Sequence, residues 1–371
     1  MNTNELIGGC IMTGIRGATL DDPVCRSDVE LLKSLNIRGV ILFDVHLPSA
    51  DGSSADGPSS MRNIVNEQQV RQLTDDLRHE LGDDLLIGID QEGGEVNRLS
   101  LFQDPAVSSM LSAKMQGVMS EAQLEATISI VASSLSDSGI NLVFGPCVDL
   151  AVNPENPIIS GRDRSFGRDP LKVASSAIAA IRAYHSAGVC SCIKHFPGHG
   201  SSTTDTHLGI ADITESWHHD EQLVYEKIIR SIKDDQCAPA AVMTGHLVHQ
   251  GVDPEFPASL SDKHTTAVLR DQLGFDGIVI TDSIDMGAIR NQYTPGEAAI
   301  KSLIAGADIV LDGFNAPDSK QSNKELPDAH HHPASEIHAS IVRAVEIGSV
   351  GVDQLIKSNT RRAQLLDGLT R

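Results

Sequence analysis

The feature that most constrains the fold of this chain is a regular alternation of short apolar runs with longer amphipathic stretches. The runs are rich in valine, isoleucine and leucine and are too short for helices, which is typical of parallel strands buried on both faces. The stretches between them include residues 66–81, 121–139 and 169–188, and the last two end in glycine, as many helices do. The eight runs are, in chain order, LIGGCIMTG, GVILFDV, LLIGID, NLVFGPCVDL, GVCSCIK, AAVMTGHL, GIVITDS and ADIVLDG.

Eight strands that alternate with helices predict an α/β fold, a single (β/α)8 TIM-type barrel over residues 1–371 with irregularity in its first strands. Residues 336–366 are expected to form helices that close the barrel, without a second sandwich domain. A doubly wound open sheet is the alternative, although no G-x-G-x-x-G opens the first helix. Two segments rich in Gly, Ser, Asp and Pro, residues 46–60 and 312–335, are predicted to be mobile surface loops.

The charge balance excludes several classes of partner. The formal net charge is -21, which opposes binding to nucleic acid or to an anionic membrane. No apolar run is long enough to span a bilayer, and the start, MNTNELIGGCIMTG, lacks the basic and apolar regions of a signal peptide. We therefore expect a cytoplasmic protein whose cysteines are free thiols. These cysteines are Cys10, Cys25, Cys147, Cys190, Cys192 and Cys237.

Polar side chains follow most of the apolar runs at the point where each predicted strand ends. Because the carboxyl ends of barrel strands meet at one rim, these side chains predict a small-molecule site there. Some of them, Asp149 and Asp312 above all, could instead cap helices or hold loops in place. The strand-end residues are Asp90, Asp149, Lys194, His195, His246, Asp282 and Asp312, and Arg98 and Arg164 lie in the loops that follow the third and fourth strands.

The segment KHFPGHGSSTTDTHL, residues 194–208, carries the most specific signal. It combines three histidines, a lysine and an aspartate with glycines that let the backbone approach a ligand. An ordinary polar surface loop is a poor explanation, because the segment follows a buried strand directly. Lys194 and His195 would then have no reason to stand at the barrel mouth.

This segment, KHFPGHG followed by Asp-Thr-His, resembles the signature of glycoside hydrolase family 3 in its β-N-acetylglucosaminidase branch. Four further segments resemble that family in the same order, so that the resemblance extends from about Ile7 to the final helices. Departures are Glu95, where a basic or polar residue is expected, the long insertion after the second strand and the histidine-rich stretch near His330. The four segments are IDQEGGEVNRL, NPIISGRDRSFGRDP, MTGHLVHQGVDPEFPASLS and FDGIVITDSIDMGAI.

The resemblance implies a retaining enzyme in which Asp282 attacks the anomeric carbon and forms a covalent glycosyl-enzyme. It also implies that His207 is the acid/base, assisted by Asp205, and that no metal or cofactor is needed. In an extended loop the Asp-x-His spacing directs both side chains to one side, where the carboxylate favours protonated imidazole. Asp282 could alternatively be a helix N-cap. The residues implied for binding the sugar are Asp90, Arg98, Arg164, Lys194 and His195, to which we add His246 from the sixth-strand segment.

Aromatic residues make up 3% of the chain, and Trp217 is the only tryptophan. Polysaccharide grooves use aromatic faces for stacking, whereas a pocket for one terminal sugar needs fewer. We therefore expect an exo-acting enzyme whose partner is a small carbohydrate, such as a cell-wall fragment or a chitin oligosaccharide.

Four alternatives stay open from the sequence. A β-glucosidase of the same family typically carries a further domain, and a glycoside phosphorylase would use phosphate in place of water. A catalytically inactive sugar-binding protein would not need Asp282, Asp205 and His207. A metal-dependent barrel hydrolase could use clustered histidines and aspartates as ligands. Its candidate ligands are His195, His199, Asp205, His207, His246 and Asp282.

Overall fold

The structure, a computed structural model, describes residues 1–45, 61–206, 209–234, 237–315 and 332–369. The predicted mobile loop 46–60 and most of the second, residues 316–331, lie outside the described residues, as does His207. The strands are β1 (Ile11–Gly14), β2 (Gly39–Leu42), β3 (Leu86–Ile89), β4 (Gln91–Gly93), β5 (Val96–Asn97), β6 (Leu142–Val143), β7 (Cys190–Phe196), β8 (Ala211–Asp212), β9 (Ala241–Thr244), β10 (Leu247–Val248), β11 (Val279–Thr281) and β12 (Val310–Asp312).

The helices begin and end at residues that the sequence marks. The side chains of Asn66, Ser120 and Asp169 accept hydrogen bonds from first-turn N–H groups, and Gly139 and Gly188 follow their helices with positive φ. The α-helices are α1 (Thr3–Gly8), α2 (Pro23–Ser34), α3 (Glu67–Leu81), α4 (Pro105–Ser108), α5 (Ala113–Gln116), α6 (Glu121–Asp137), α7 (Pro170–Ser186), α8 (His219–Lys233), α9 (Gly287–Arg290), α10 (Pro295–Ala305), α11 (Pro333–Glu346) and α12 (Val352–Leu369), and a π-helix spans Lys263–Gln272.

Eight of the strands form a parallel sheet in the order β11-β9-β7-β6-β3-β2-β1-β12. Its two edges meet through a parallel bridge between Ile280 and Ile309, where Thr281 N donates to Ile309 O at 3.1 Å. The predicted (β/α)8 barrel is therefore confirmed. The strands differ in length, because β1, β2 and β3 have four residues each whereas β6 has two.

Alternation along each strand separates the barrel interior from the helix-facing layer. Leu86, Cys190 and Cys192, for example, pack inside, while Ile87 and Ile193 face the helices. At the carboxyl ends of three strands, the next residue in the series that faces the barrel interior is polar. These residues are Asp90 after Leu86 and Gly88, Lys194 after Cys190 and Cys192, and Asp282 after Ile278 and Ile280.

Two further predictions can be compared with the structure. All six cysteines are buried free thiols, as expected from the sequence. The run LIGGCIMTG is only partly a strand, because a capping box between Asn2 and Glu5 makes Leu6–Gly8 part of α1. Among the described residues, no helix is both long enough and apolar enough to cross a lipid bilayer.

Candidate active site

The centre of the candidate site is the buried ammonium group of Lys194, at the carboxyl end of β7. Its Nζ lies 2.6 Å from Asp90 Oδ1 and 2.7 Å from Glu92 Oε1. The lysine and Glu92 side chains are 3% and 1% exposed, whereas Asp90 is 21% exposed. The two neighbouring carboxylates outweigh burial and raise the pKa of Lys194, which stays charged. Asp90 is thus the member of this group that reaches the opening of the barrel.

Glu92 connects Lys194 to a second cation, Arg164. The Arg164 guanidinium donates from Nε to Oε2 at 2.8 Å and from Nη2 to Oε1 at 2.9 Å, a bidentate geometry. Burial alone would raise the pKa of Glu92, but Arg164 and Lys194 hold it well below its ordinary value. The result is a chain of alternating charges, Arg164–Glu92–Lys194–Asp90, which fixes the lysine beneath the pocket.

This network changes how two residues are understood. Glu92 was not chosen from the sequence, although it stands in the segment IDQEGG beside Asp90. Arg164 was predicted to bind the sugar, yet Nε and Nη2 are held by Glu92 and Nη1 donates to Ile158 O at 3.3 Å. The structure therefore gives Arg164 a supporting position behind Lys194, and its direct contact with a sugar stays a prediction.

His195 is oriented by the buried carboxylate of Asp149. Asp149 accepts three hydrogen bonds: from the His195 ring Nδ1 at 2.6 Å, from the His195 backbone N–H at 3.1 Å and from the His199 backbone N–H at 2.8 Å. Burial would raise the pKa of Asp149, but His195 opposes it and the pKa is lowered to about 2. With Nδ1 committed to Asp149, Nε2 is the ring nitrogen of His195 that can face a ligand. Asp149 could have capped a helix or held a loop in place, and the structure shows that it holds the loop that carries His195 and His199.

Cys147, Asp149 and His195 have possible ligand atoms that all lie within 4.8 Å of one another. Zinc at 2.0–2.3 Å from its ligands keeps those ligands roughly 3.3–3.8 Å apart in a tetrahedral site. The 2.6 Å between His195 and Asp149 is instead a hydrogen bond, and Cys147 Sγ lies 3.3 Å from Asp149 Oδ2. The geometry is that of a hydrogen-bonded triad. Within the described ranges, no three of the ligands proposed for a metal-dependent hydrolase have their possible ligand atoms within 4.8 Å of one another.

Asp282 follows β11 and is partly exposed at the mouth of the barrel. Its backbone N–H donates to Thr244 O at 2.8 Å, and its Oδ1 accepts the N–H of Ser283 at 2.8 Å. The alternative role of helix N-cap does not apply to the next helix, because α9 begins at Gly287 with Met286 in the N-cap position. Asp282 thus presents a carboxylate at the same end of the barrel as Asp90 and Lys194.

His246 supports the turn that carries Asp282. Its Nδ1 lies 2.7 Å from Ser259 Oγ and its Nε2 lies 2.8 Å from Ser283 O, and the residue is 0% exposed. Direct contact with a substrate would require the ring to give up one of these bonds. The Ser283 hydroxyl also donates to Asp285 Oδ1 at 2.6 Å, which fixes the turn further.

Arg98 stands beyond the β4–β5 hairpin, which brings it to the rim near Asp90. Its Nη1 lies 3.5 Å from Asp44 Oδ1, and the two side chains are 16% and 14% exposed. Burial raises the pKa of Asp44, and Arg98 opposes this effect. Asp44 follows β2 and was not chosen from the sequence.

The loop that follows β7 is anchored at several points before it reaches the predicted acid/base pair. Trp217 Nε1 donates to Pro197 O at 3.2 Å, and Ala288 N donates to Thr206 O at 3.1 Å. Asp205 is partly buried next to Thr206, and Ala288 lies in α9, just beyond Asp282. His207 lies outside the described residues, so its place relative to Asp282 stays a prediction.

A closed (β/α)8 barrel with carboxylates, a lysine and a histidine at the carboxyl ends of its strands defines a small-molecule enzyme scaffold, in which ionised side chains can hold a polyhydroxyl ligand. Residues 17–347 match the family described as "Glycosyl hydrolase family 3 N terminal domain". The chain belongs to this family, which confirms the resemblance found in the sequence.

Relatives with known names agree with this assignment. "Beta-hexosaminidase" of Xylella fastidiosa (strain 9a5c) is 30% identical over 325 residues, covering 84% of this chain and 88% of the relative. "Beta-hexosaminidase A" of Pseudoalteromonas piscicida is 29% identical over 360 residues, covering 91% of this chain. The chain spans about half, 54%, of that relative's length.

Two solved structures resemble the barrel closely. A glycoside hydrolase family 3 beta-N-acetylglucosaminidase from Paenibacillus sp. str. FPU-7 has a TM-score of 0.82 and 28% identity, covering 100% of this chain and 63% of its own. A beta-N-acetylhexosaminidase from Beutenbergia cavernae DSM 12333 has a TM-score of 0.78 and 26% identity, covering 99% of each chain.

Proposed function

We propose that this protein is an exo-acting, retaining β-N-acetylglucosaminidase that removes a terminal N-acetylglucosamine from short soluble glycosides. The observation that carries the proposal is the position of Asp282, a carboxylate at the mouth of a family 3 barrel and at the same end as a preformed Asp90–Lys194 pair. The names of the relatives support the choice of sugar.

The Asp90–Lys194 pair would hold the hydroxyl groups of the sugar. An ammonium group has three donors, and two of those on Lys194 are used by Asp90 and Glu92. The third N–H, together with Asp90 Oδ2, offers a donor beside an acceptor, which suits two neighbouring hydroxyls. Arg98 and His195 Nε2 would add further donors at the rim, because Asp149 already occupies Nδ1.

Asp282 would form a covalent glycosyl-aspartate, and His207 would donate a proton to the departing oxygen and then take one from water. Asp205 would favour the protonated form of the histidine before the first step. Release of a glycosyl phosphate would instead identify a phosphorylase. A cytoplasmic location and a role in the recycling of cell-wall fragments stay predictions from the sequence.

The proposal is tested by the turnover of a chromogenic N-acetylglucosaminide by the wild type, Asp282→Asn and the control Asp271→Asn, which changes an exposed carboxylate on the π-helix. We expect Asp282→Asn to lose at least about 10³-fold in kcat, because the covalent intermediate cannot form. A fluorinated substrate analogue should label Asp282 in the wild type. Labelling of another residue would refute the assignment.

Product analysis then separates the alternatives that remain. Chitobiose, peptidoglycan fragments and a chromogenic glucoside are incubated side by side, each with and without inorganic phosphate. We expect free N-acetylglucosamine in every productive reaction and little turnover of the glucoside. A sugar 1-phosphate would favour the phosphorylase, and preference for the glucoside would favour the β-glucosidase.

A further inference from the structure

Glu221 is a buried carboxyl group that the proposed chemistry does not use. It lies in the first turn of α8, is 2% exposed, and accepts the N–H of Gly200 on Oε2 at 2.8 Å. The backbone of Gly198 passes directly over it, because a Cβ on Gly198 would lie 2.6 Å from the Cβ of Glu221. Glu221 therefore forms the floor under residues 198–201.

Those four residues lie between Lys194 and His195, which we propose bind the sugar, and the predicted acid/base pair. Two carboxyl groups hold this loop: Asp149 binds the backbone N–H groups of His195 and His199, and Glu221 binds that of Gly200. The loop cannot move away from α8 without breaking the bond between Glu221 and Gly200. Glu221 therefore holds the start of the segment that leads to Asp205.

The surroundings of Glu221 favour its neutral form. Its Oε1 and the nearby Ser201 Oγ are both buried, and the Ser201 hydroxyl lies close enough to act on the carboxyl group. The titratable side chains that interact with it are Asp149, which is an anion, and Tyr225, which is neutral near pH 7. Burial raises the pKa of Glu221 to about 7 and Asp149 adds to the rise, whereas the Ser201 hydroxyl and the backbone N–H groups of Gly200 and His218 oppose it.

We propose that Glu221 is a positioning residue for the loop that carries the predicted acid/base pair, which it holds on α8 as a neutral carboxylic acid and loosens when it ionises. The neutral group can donate a hydrogen bond toward Ser201 while it accepts from Gly200. The ionised group is the better acceptor for the Gly200 N–H, but no cation among the described residues offsets its burial, and it becomes hydrated only if the loop lifts. The link to turnover rests on the proposed function, whereas the loosening of the loop does not.

The test uses Glu221→Gln, Glu221→Ala and the control Glu226→Gln on the same helix, each measured from pH 5.5 to 8.5. Hydrogen exchange of the amides of residues 198–201, corrected for intrinsic rates, reports the loop without requiring activity. In the wild type and the control we expect protection of Gly200 to fall about tenfold from pH 6 to pH 8, following the ionised fraction. Glu221→Gln should stay protected throughout, and Glu221→Ala should be unprotected at both pH values.

Trp217, the only tryptophan, gives a second signal because it bonds to Pro197 of the same loop. His219 and His249 also contact the indole, so His219→Gln and His249→Gln are measured as backgrounds. The fluorescence change that survives in both histidine variants should disappear in Glu221→Gln. The persistence of that change in Glu221→Gln would contradict the proposal.

Activity completes the test. Because the titration of the proposed acid/base affects both enzymes alike, the ratio of kcat for Glu221→Gln to that for wild type isolates Glu221. We expect this ratio to rise about tenfold from pH 6 to pH 8, with less change in KM. Equal pH dependence of exchange in wild type and Glu221→Gln would overturn the proposal. Complete inactivity of the wild type would refute the proposed function, while exchange would still decide the role of Glu221.

Discussion

Glu92→Gln is the substitution that tests the buried charge network most directly. Glu92 holds two buried cations, Lys194 and Arg164, through three contacts of 2.7–2.9 Å. The amide keeps the shape of the side chain but loses the charge and replaces one acceptor oxygen with a donor that faces a cation. Removal of one partner of a buried ion pair costs about 3–5 kcal/mol. Because Glu92 serves two cations while Gln retains one acceptor, we expect a loss of about 4 kcal/mol in the free energy of unfolding at pH 7.

The same reasoning sets the pH dependence of this loss. The pKa of Glu92 is held well below the 4.5 of an ordinary glutamate. The charge therefore adds stability that is fully present above pH 4.5 and is lost as the pH falls through the lower, folded-state pKa. The difference between wild type and Glu92→Gln should thus be largest at neutral pH and should shrink in strong acid.

Urea unfolding followed by the fluorescence of Trp217 measures both effects. Glu95→Gln on the same hairpin is the matched control, because the Glu95 side chain is 68% exposed and its carboxylate lies 3.9 Å from Arg162. Exposed pairs of this kind contribute about 0–1 kcal/mol. A loss below about 1 kcal/mol in Glu92→Gln, or a loss that does not shrink in acid, would refute the view that Glu92 stabilises both cations.

Three further predictions concern the loop and the chemistry. The free energy of unfolding of Glu221→Gln should rise by about 3 kcal/mol relative to that of the wild type between pH 4.5 and pH values above 7. The reason is that a folded-state pKa raised to about 7 costs the wild type stability over that range. Urea unfolding at pH 5 and pH 8 measures most of this rise, and a constant difference between the two proteins would contradict it. His207→Ala should slow cleavage of a sugar–sugar bond severely but should impair glycosylation by an activated phenyl glycoside far less, with accumulation of the intermediate. Equal losses on both substrates would argue against an acid role. Prolonged treatment with a chelator should leave activity intact, whereas loss and recovery with zinc would favour the metal-dependent alternative.

The strand-end residues of the site could be predicted because strand periodicity leaves little choice. In LLIGID, GVCSCIK and GIVITDS, the charged residue that follows the apolar residues has the same parity as the residues that fill the barrel. A register shift of one residue would expose the interior set, so Asp90, Lys194 and Asp282 must face inward at the mouth. This inference needs only local spacing and the rule that barrel sites lie at the carboxyl ends of strands.

The pairing of the charged residues could not be predicted in the same way. Arg164 and Glu92 are 72 positions apart, and His246 reaches Ser283 across 37 positions. Such contacts depend on how loops pack over the barrel, and no local pattern encodes that packing. Glu221 illustrates the point, because an acidic residue in the first turn of a helix is ordinarily explained by the helix dipole. Only the docking of residues 198–201 reveals that this glutamate is buried.

The distribution of the two cations in the network has a consequence for substitution. Arg164 presents Nε and Nη2 as a planar fork to both oxygens of Glu92, while Lys194 offers a point charge with a donor to spare. A lysine at position 164 could satisfy only one carboxylate oxygen at a time and would leave Glu92 less firmly placed. An arginine at position 194 would bring a larger, planar group into a space that is closed on two sides by Asp90 and Glu92. The two positions are therefore not interchangeable: the fork orients the carboxylate, and the oriented carboxylate orients the ammonium group that we propose binds the sugar.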